Sequence, residues 1–242
     1  MSKAYYTADN WNIPLNVETL SLSFVGLHKV PENLKDATSI KELVLTGNTI
    51  TVLENLPPNL ETLICNLNKI HTINNLPKSL KRLVINYNQL KTLDNLPSNL
   101  EYLDCADNKL EMIQSFPLNL KDLNCSCNCL KNLPNLPKNL KKLYVEYNYL
   151  TSLPPLNEGL ITVSYHNNSI GLLNYVPYSL ETIFNDTQKP NKFIFSYLET
   201  LRSTAEKQRC MNRTRKIKEE LMMKVWHPDN LEKWLAQEFD ND

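Results

Sequence analysis

The sequence predicts an α/β solenoid: short parallel strands on a concave face, an extended convex side and a helical cap at the C-terminal end. Three observations carry this. Seven asparagines (Asn48, Asn68, Asn88, Asn108, Asn128, Asn148 and Asn168) recur every twenty residues. Hydrophobic residues keep fixed distances from each of them. Near Pro190 the pattern stops, and hydrophobic spacing of three and four residues takes over. A fixed period over many units means stacked copies of one small unit, each burying its apolar face only against its neighbours.

The unit reads the same way around every asparagine. Upstream of Asn68 stand Leu60, Leu63 and Cys65; downstream stand Ile70, Ile73 and Leu76. Around Asn148 the same places hold Leu140, Leu143, Val145, Leu150, Leu153 and Leu156. A proline follows in most units: Pro57, Pro77, Pro97, Pro117, Pro137 and Pro177. Alternation over Leu63-Ile64-Cys65 predicts a strand with Leu63 and Cys65 inside and Thr62, Ile64 and Asn66 outside. Counting Leu20 and Ile183, nine rungs would stack into a sheet roughly 40 Å long. The rest of each unit carries proline and is too short for a helix, so the convex side should be extended. The asparagine closes each strand, where its amide can satisfy backbone groups that no ladder serves.

Residues 1–16, with Tyr5, Tyr6 and Trp11, form an N-terminal cap over the first rung. Residues 17–188 hold the repeats. The first unit departs from the frame, with Val25 in place of the asparagine and the next unit beginning late, at Ile40. Residues 189–242 form a helical cap or tail. Phe195, Leu198, Leu201 and Ala205 share one helical face, Ile217, Leu221, Met222 and Val225 another, and Leu231, Trp234, Leu235 and Phe239 a third.

The consensus L-x-x-L-x-(L/C/V)-x-x-N-x-L-x-x-L-x-x-L-P is similar to the leucine-rich repeat. The stretch from Leu133 to Pro154, LPNLPKNLKKLYVEYNYLTSLP, resembles the twenty-residue repeats of secreted bacterial effectors. The resemblance covers roughly residues 17–188. It implies a leucine-rich repeat arc and a binding surface. The ending ELMMKVWHPDNLEKWL resembles the tails of repeat proteins from giant DNA viruses, which implies a viral protein acting on host proteins. His227-Pro228-Asp229 after a basic helix also resembles J-domain co-chaperones, but thirteen residues after Asp229 leave no room for that family's third helix.

Composition narrows the function. Net charge is zero, with 26 basic and 26 acidic residues, which argues against nucleic acid as a partner. Four scattered glycines build no phosphate-cradling loop. No signal-peptide core and no run of about 18 apolar residues is present, so a soluble, intracellular protein is expected, in the cytoplasm of the producing or host cell. No cofactor is called for. Cys65, Cys105 and Cys125 take inward positions as small hydrophobes. In the CSCNC run Cys125 is placed inside and Cys127 on the concave face, so no metal site is expected.

Some effectors with this repeat carry a ubiquitin-ligase domain with a Cys-x-Asp motif. Here Cys210 is followed by Met211 and Asn212, and the motif is absent. The four histidines fall in separate units, which builds no catalytic constellation. The expected function is therefore a non-catalytic scaffold that binds a protein partner through the concave face. Its candidate contacts are Arg82, Tyr87, Tyr102, Asp104, Lys142, Tyr144, Glu146 and Tyr147. The alternative is an adaptor that recruits the bound partner to other machinery through its tail, where Lys189 to Lys224 holds ten basic residues against four acidic.

Overall fold

The L-x-L core of each unit becomes a three-residue strand, and the twenty-residue period sets successive strands side by side. The computed structural model describes residues 4, 5, 16–170, 173, 176, 177 and 179–184. The main sheet has ten parallel strands. They are interleaved in sequence with four short strands on the back. The first part of the chain supplies β1 (Ala4–Tyr5), β2 (Thr19–Ser21), β3 (Glu42–Val44), β4 (Val52–Leu53), β5 (Thr62–Ile64), β6 (Thr72–Ile73) and β7 (Arg82–Val84). The second part supplies β8 (Thr92–Leu93), β9 (Tyr102–Asp104), β10 (Met112–Ile113), β11 (Asp122–Asn124), β12 (Lys142–Tyr144), β13 (Thr162–Ser164) and β14 (Thr182–Phe184). From β3 onward the main strands pair with a register shift of one unit, so Leu43, Leu63, Leu83, Leu103, Leu123 and Leu143 line up.

These leucines point into the core, with Leu60, Cys65, Ile70 and their equivalents, and are fully buried; only Ile170, in the last of these units, is partly exposed. Each buried leucine contributes roughly 1.5–3 kcal/mol. On the back, β4 pairs with β6 and β8 with β10. Among the described residues this pairing ends at β10. In the next two units Pro134 and Pro154 follow the equivalent leucines and have no N–H with which to extend a ladder.

The asparagines sit inside the turn after each main strand. Asn68 Nδ2 donates to the carbonyls of Leu45 (2.9 Å) and Cys65 (3.1 Å), and its Oδ1 accepts from the Ile50 N–H at 3.0 Å. The amide therefore ties one turn to the previous one. Asn88, Asn108, Asn128 and Asn148 repeat the pattern and are buried. Asn168, at the end, makes the same bonds but is half-buried. The first unit has no asparagine of its own, and Asn48 makes the regular bonds back to it: Nδ2 donates to the Leu22 carbonyl, and Oδ1 accepts from the N–H of Leu27 and also of Val25.

Proline starts a tight turn on the way to most main strands, with its carbonyl accepting from the N–H three residues on, as from Pro57 to Leu60 at 3.3 Å; before β13 Asn157 takes this place. A second polar ladder occupies these turns. Asn59, Asn99 and Asn119 donate to the carbonyls of Thr38, Lys78 and Ser98 in the preceding unit. Ser79 takes the same place and donates to the Leu60 carbonyl at 2.7 Å.

Three details depart from the sequence expectation. The sheet has a tenth strand, because Ala4–Tyr5 pairs with β2 as one more rung. The first unit has room for a 3-10 helix, Glu32–Asp36, with Leu34 buried, because it is longer than the others. The described fold is a β-solenoid; the helical C-terminal cap that made the expected class α/β lies outside the described residues, as do Tyr6 and Trp11.

Candidate functional site

The outward face of the ten-stranded sheet is built from alternate strand residues and the turn that follows. Its first column runs Glu42, Thr62, Arg82, Tyr102, Asp122, Lys142 and Thr162; its central column runs Val44, Ile64, Val84, Asp104, Asn124, Tyr144 and Ser164. Strand neighbours about 4.8 Å apart make these side chains touch along each column. The Arg82 guanidinium carbon lies 3.6 Å from the centre of the Tyr102 ring. Lys142 Nζ stands 4.0 Å from Asp122 Oδ1.

Asp104 lies at the middle of this face. Its carboxylate accepts from Asn86 Nδ2 and from the Ala106 N–H, both at 3.3 Å. Burial pushes its carboxyl above the ordinary aspartate value, against the lowering effects of the Ala106 N–H and the nearby Arg82. On the next rung Asn124 Oδ1 accepts from Ser126 Oγ at 2.7 Å.

The turn just past each strand adds a third column: Phe24, Gly47, Leu67, Tyr87, Asp107, Cys127, Tyr147 and Asn167. All eight have left-handed backbone, with φ between 52° and 68°. Only Gly47 is a glycine; a Cβ there would collide with the Phe24 ring. The neighbouring turn holds this geometry, since the N–H groups of Tyr87 and Tyr147 donate to the carbonyls of Ala106 and His166. The large side chains stand in solvent: Phe24 is 72% exposed, Leu67 47%, Tyr87 53% and Tyr147 55%. The Tyr147 ring meets the edge of His166 at 5.3 Å.

Arg82, Tyr102, Asp104, Lys142 and Tyr144 thus occupy outward strand positions. Tyr87, Glu146 and Tyr147 do not, because their strands end at Val84 and Tyr144. Strand propensity therefore gives no reason for tyrosine at positions 87 and 147. Cys125 is buried and Cys127 and Cys129 are half-buried. Alternation would put Cys125 and Cys127 on one face; they part because β11 ends at Asn124 and Cys127 has left-handed backbone. Burial pushes the Cys127 thiol up, and Asp107 and Glu146 add to the shift. Leu67 was missed by sequence reasoning, and its place one residue before Asn68 was the available signal.

No protein-family model matches the chain, and no curated protein matches it. Solved structures do match. YopM from Yersinia pestis, described as a leucine-rich effector protein, is 30% identical with a TM-score of 0.67, over 72% of this chain and 49% of that one. YopM from Yersinia enterocolitica WA-314 is 27% identical with a TM-score of 0.58, over 72% and 43%. A Shigella effector leucine-rich repeat domain is 27% identical with a TM-score of 0.52, over 79% of this chain and 78% of that domain. The chain spans less than half the length of either YopM protein. The architecture is the leucine-rich repeat solenoid. Among the described residues no helix is long and apolar enough to cross a membrane.

Proposed function

We propose that this leucine-rich repeat chain is a non-catalytic scaffold that binds a protein partner on the outward face of its main sheet. The contacts are centred on Arg82, Tyr87, Tyr102, Asp104, Lys142, Tyr144, Glu146 and Tyr147. One observation carries the reading. Leu67, Tyr87 and Tyr147 hold exposed apolar bulk on left-handed backbone. A bulky residue is disfavoured there, and folding gains little from a side chain standing in solvent. Strain of this kind concentrates at binding sites. Tyrosine and arginine also anchor interfaces more often than other residues. The effector proteins of similar architecture support a role in acting on another cell's proteins, and the tail's likeness to giant-virus repeat proteins supports a viral one, exercised inside the host cell.

Affinity capture from a host lysate tests the reading, using wild type and the triple variant Tyr87→Asp, Tyr102→Asp, Tyr144→Asp. Proteins retained by wild type and lost from the folded variant support it. Equal capture by both contradicts it.

The basic stretch Lys189 to Lys224 favours a second role, as an adaptor that docks other machinery through the tail. Replacing Arg213, Arg215, Lys216 and Lys218 with glutamate in the full chain separates the two roles. Loss of one captured protein while another stays bound supports the adaptor; an unchanged set contradicts it.

A further inference from the structure

The outward face is not uniform along the solenoid. In its first half the central column is aliphatic: Val44, Ile64 and Val84, with Leu67 and Tyr87 beside it. At β9 the column turns polar. From Tyr102 to Tyr147 the outward positions carry Asp104, Asp107, Asp122 and Glu146 against one cation, Lys142.

Hydrogen bonding adds a second observation. Asn86 Oδ1 and Glu146 Oε2 are shielded from solvent and accept no hydrogen bond; Asp122 Oδ1 accepts none either, though Lys142 Nζ stands 4.0 Å away. A fourth such atom, Asp94 Oδ1, lies off the face. An excess of carboxylates, with two neighbouring acceptors that have no donor, favours a group made only of donors. Guanidinium and ammonium are the side-chain groups that fit, and guanidinium brings five N–H donors.

We propose that the face reads a two-part polypeptide segment: aliphatic side chains over Val44, Ile64 and Val84, and an arginine or lysine over Asp104, Asp122 and Glu146. This rests on the protein-binding reading above and names the chemistry of the partner. Charge complementarity sets the polarity, since a phosphorylated or acidic segment would meet carboxylates there. Geometry sets the spacing. Ile64 and Asp104 are two rungs apart and Ile64 and Asp122 three, or about 10 and 14 Å at the usual strand separation. An extended chain advances about 3.3 Å per residue, so about three to four residues separate the aliphatic and basic side chains.

The test is a phage-displayed random peptide library panned on the full chain, followed by titration of a fluorescently labelled winning peptide. Enriched peptides should pair aliphatic residues with an arginine or lysine about three to four positions away. Asp104→Asn with Asp122→Asn should weaken the winner about three- to tenfold, as should arginine→glutamine in the peptide. The two changes together should weaken it little more than either alone. The peptide change leaves the protein untouched, so it stays informative if the double variant misfolds. Winners that compete for the face but are neutral or acidic overturn this inference and leave the scaffold reading standing. Winners unaffected by Ile64→Ser, Tyr144→Asp and the double variant, or no enrichment at all, overturn both.

Discussion

Arg82 and Tyr102 occupy equivalent positions on neighbouring rungs, and the guanidinium carbon of one sits 3.6 Å from the ring centre of the other. The contact stiffens both side chains on the face where a partner is proposed to dock. A double-mutant cycle of Arg82→Ala and Tyr102→Ala should show a coupling of about 0.5–1 kcal/mol in urea denaturation. Arg82→Lys should keep the charge and lose part of this coupling, because an ammonium does not stack as a planar guanidinium does. Strictly additive single effects would show that the two side chains do not act together.

The asparagine ladder makes a stability prediction with a gradient. Asn88 serves the carbonyls of Cys65, Ile85 and Asn86 and the N–H of Ile70. Asn88→Ala should destabilise the chain by about 1–3 kcal/mol, since it strands buried backbone groups. Asn168→Ala should lose less, because Asn168 is half-buried and water reaches it. Equal losses at both positions would argue against burial as the source of the penalty.

Much of this was legible in the sequence. The twenty-residue period placed the rungs, the inward leucines and the asparagines, because a stacked unit has one solution for its apolar face. The tenth strand was not legible, since Ala4–Tyr5 belongs to no repeat and pairs only through its backbone. The second polar ladder at Asn59, Ser79, Asn99 and Asn119 was in the sequence at the same period, and only its turn geometry shows what it does. The left-handed column was hidden for a physical reason. Glycine and asparagine usually mark such backbone, and Leu67, Tyr87, Cys127 and Tyr147 do not. Their conformation is held by hydrogen bonds that their N–H groups donate to carbonyls of the next turn, which no local pattern encodes.

That column opposes stability to binding. Tyr87→Asn and Tyr147→Asn place a residue tolerant of left-handed backbone where tyrosine is strained. Each should raise stability by up to about 1 kcal/mol and weaken capture of the partner. Calorimetry and capture measured on the same variants check both halves. A variant that gains stability with undiminished capture would remove these tyrosines from the contact surface.

Asp104 predicts a pH effect with a definite sign. Burial raises its carboxyl above the ordinary value, so the folded chain holds this proton more tightly than the unfolded chain does. The stability linked to it is present below the unfolded value and is lost as pH rises through the folded one. Asp104→Asn should therefore raise the melting temperature at neutral pH. The gain should shrink in acid and vanish below the ordinary aspartate range. A gain that grows as pH falls would reverse the assignment.

Site-specific photo-crosslinking locates the binding surface on the solenoid. A benzophenone amino acid replaces either Tyr144, on the outward face of the main sheet, or Met112, exposed on the back strand β10. The face assignment predicts a covalent adduct with the captured partner from position 144 and none from position 112. An adduct from position 112 alone would place the binding surface on the back of the solenoid.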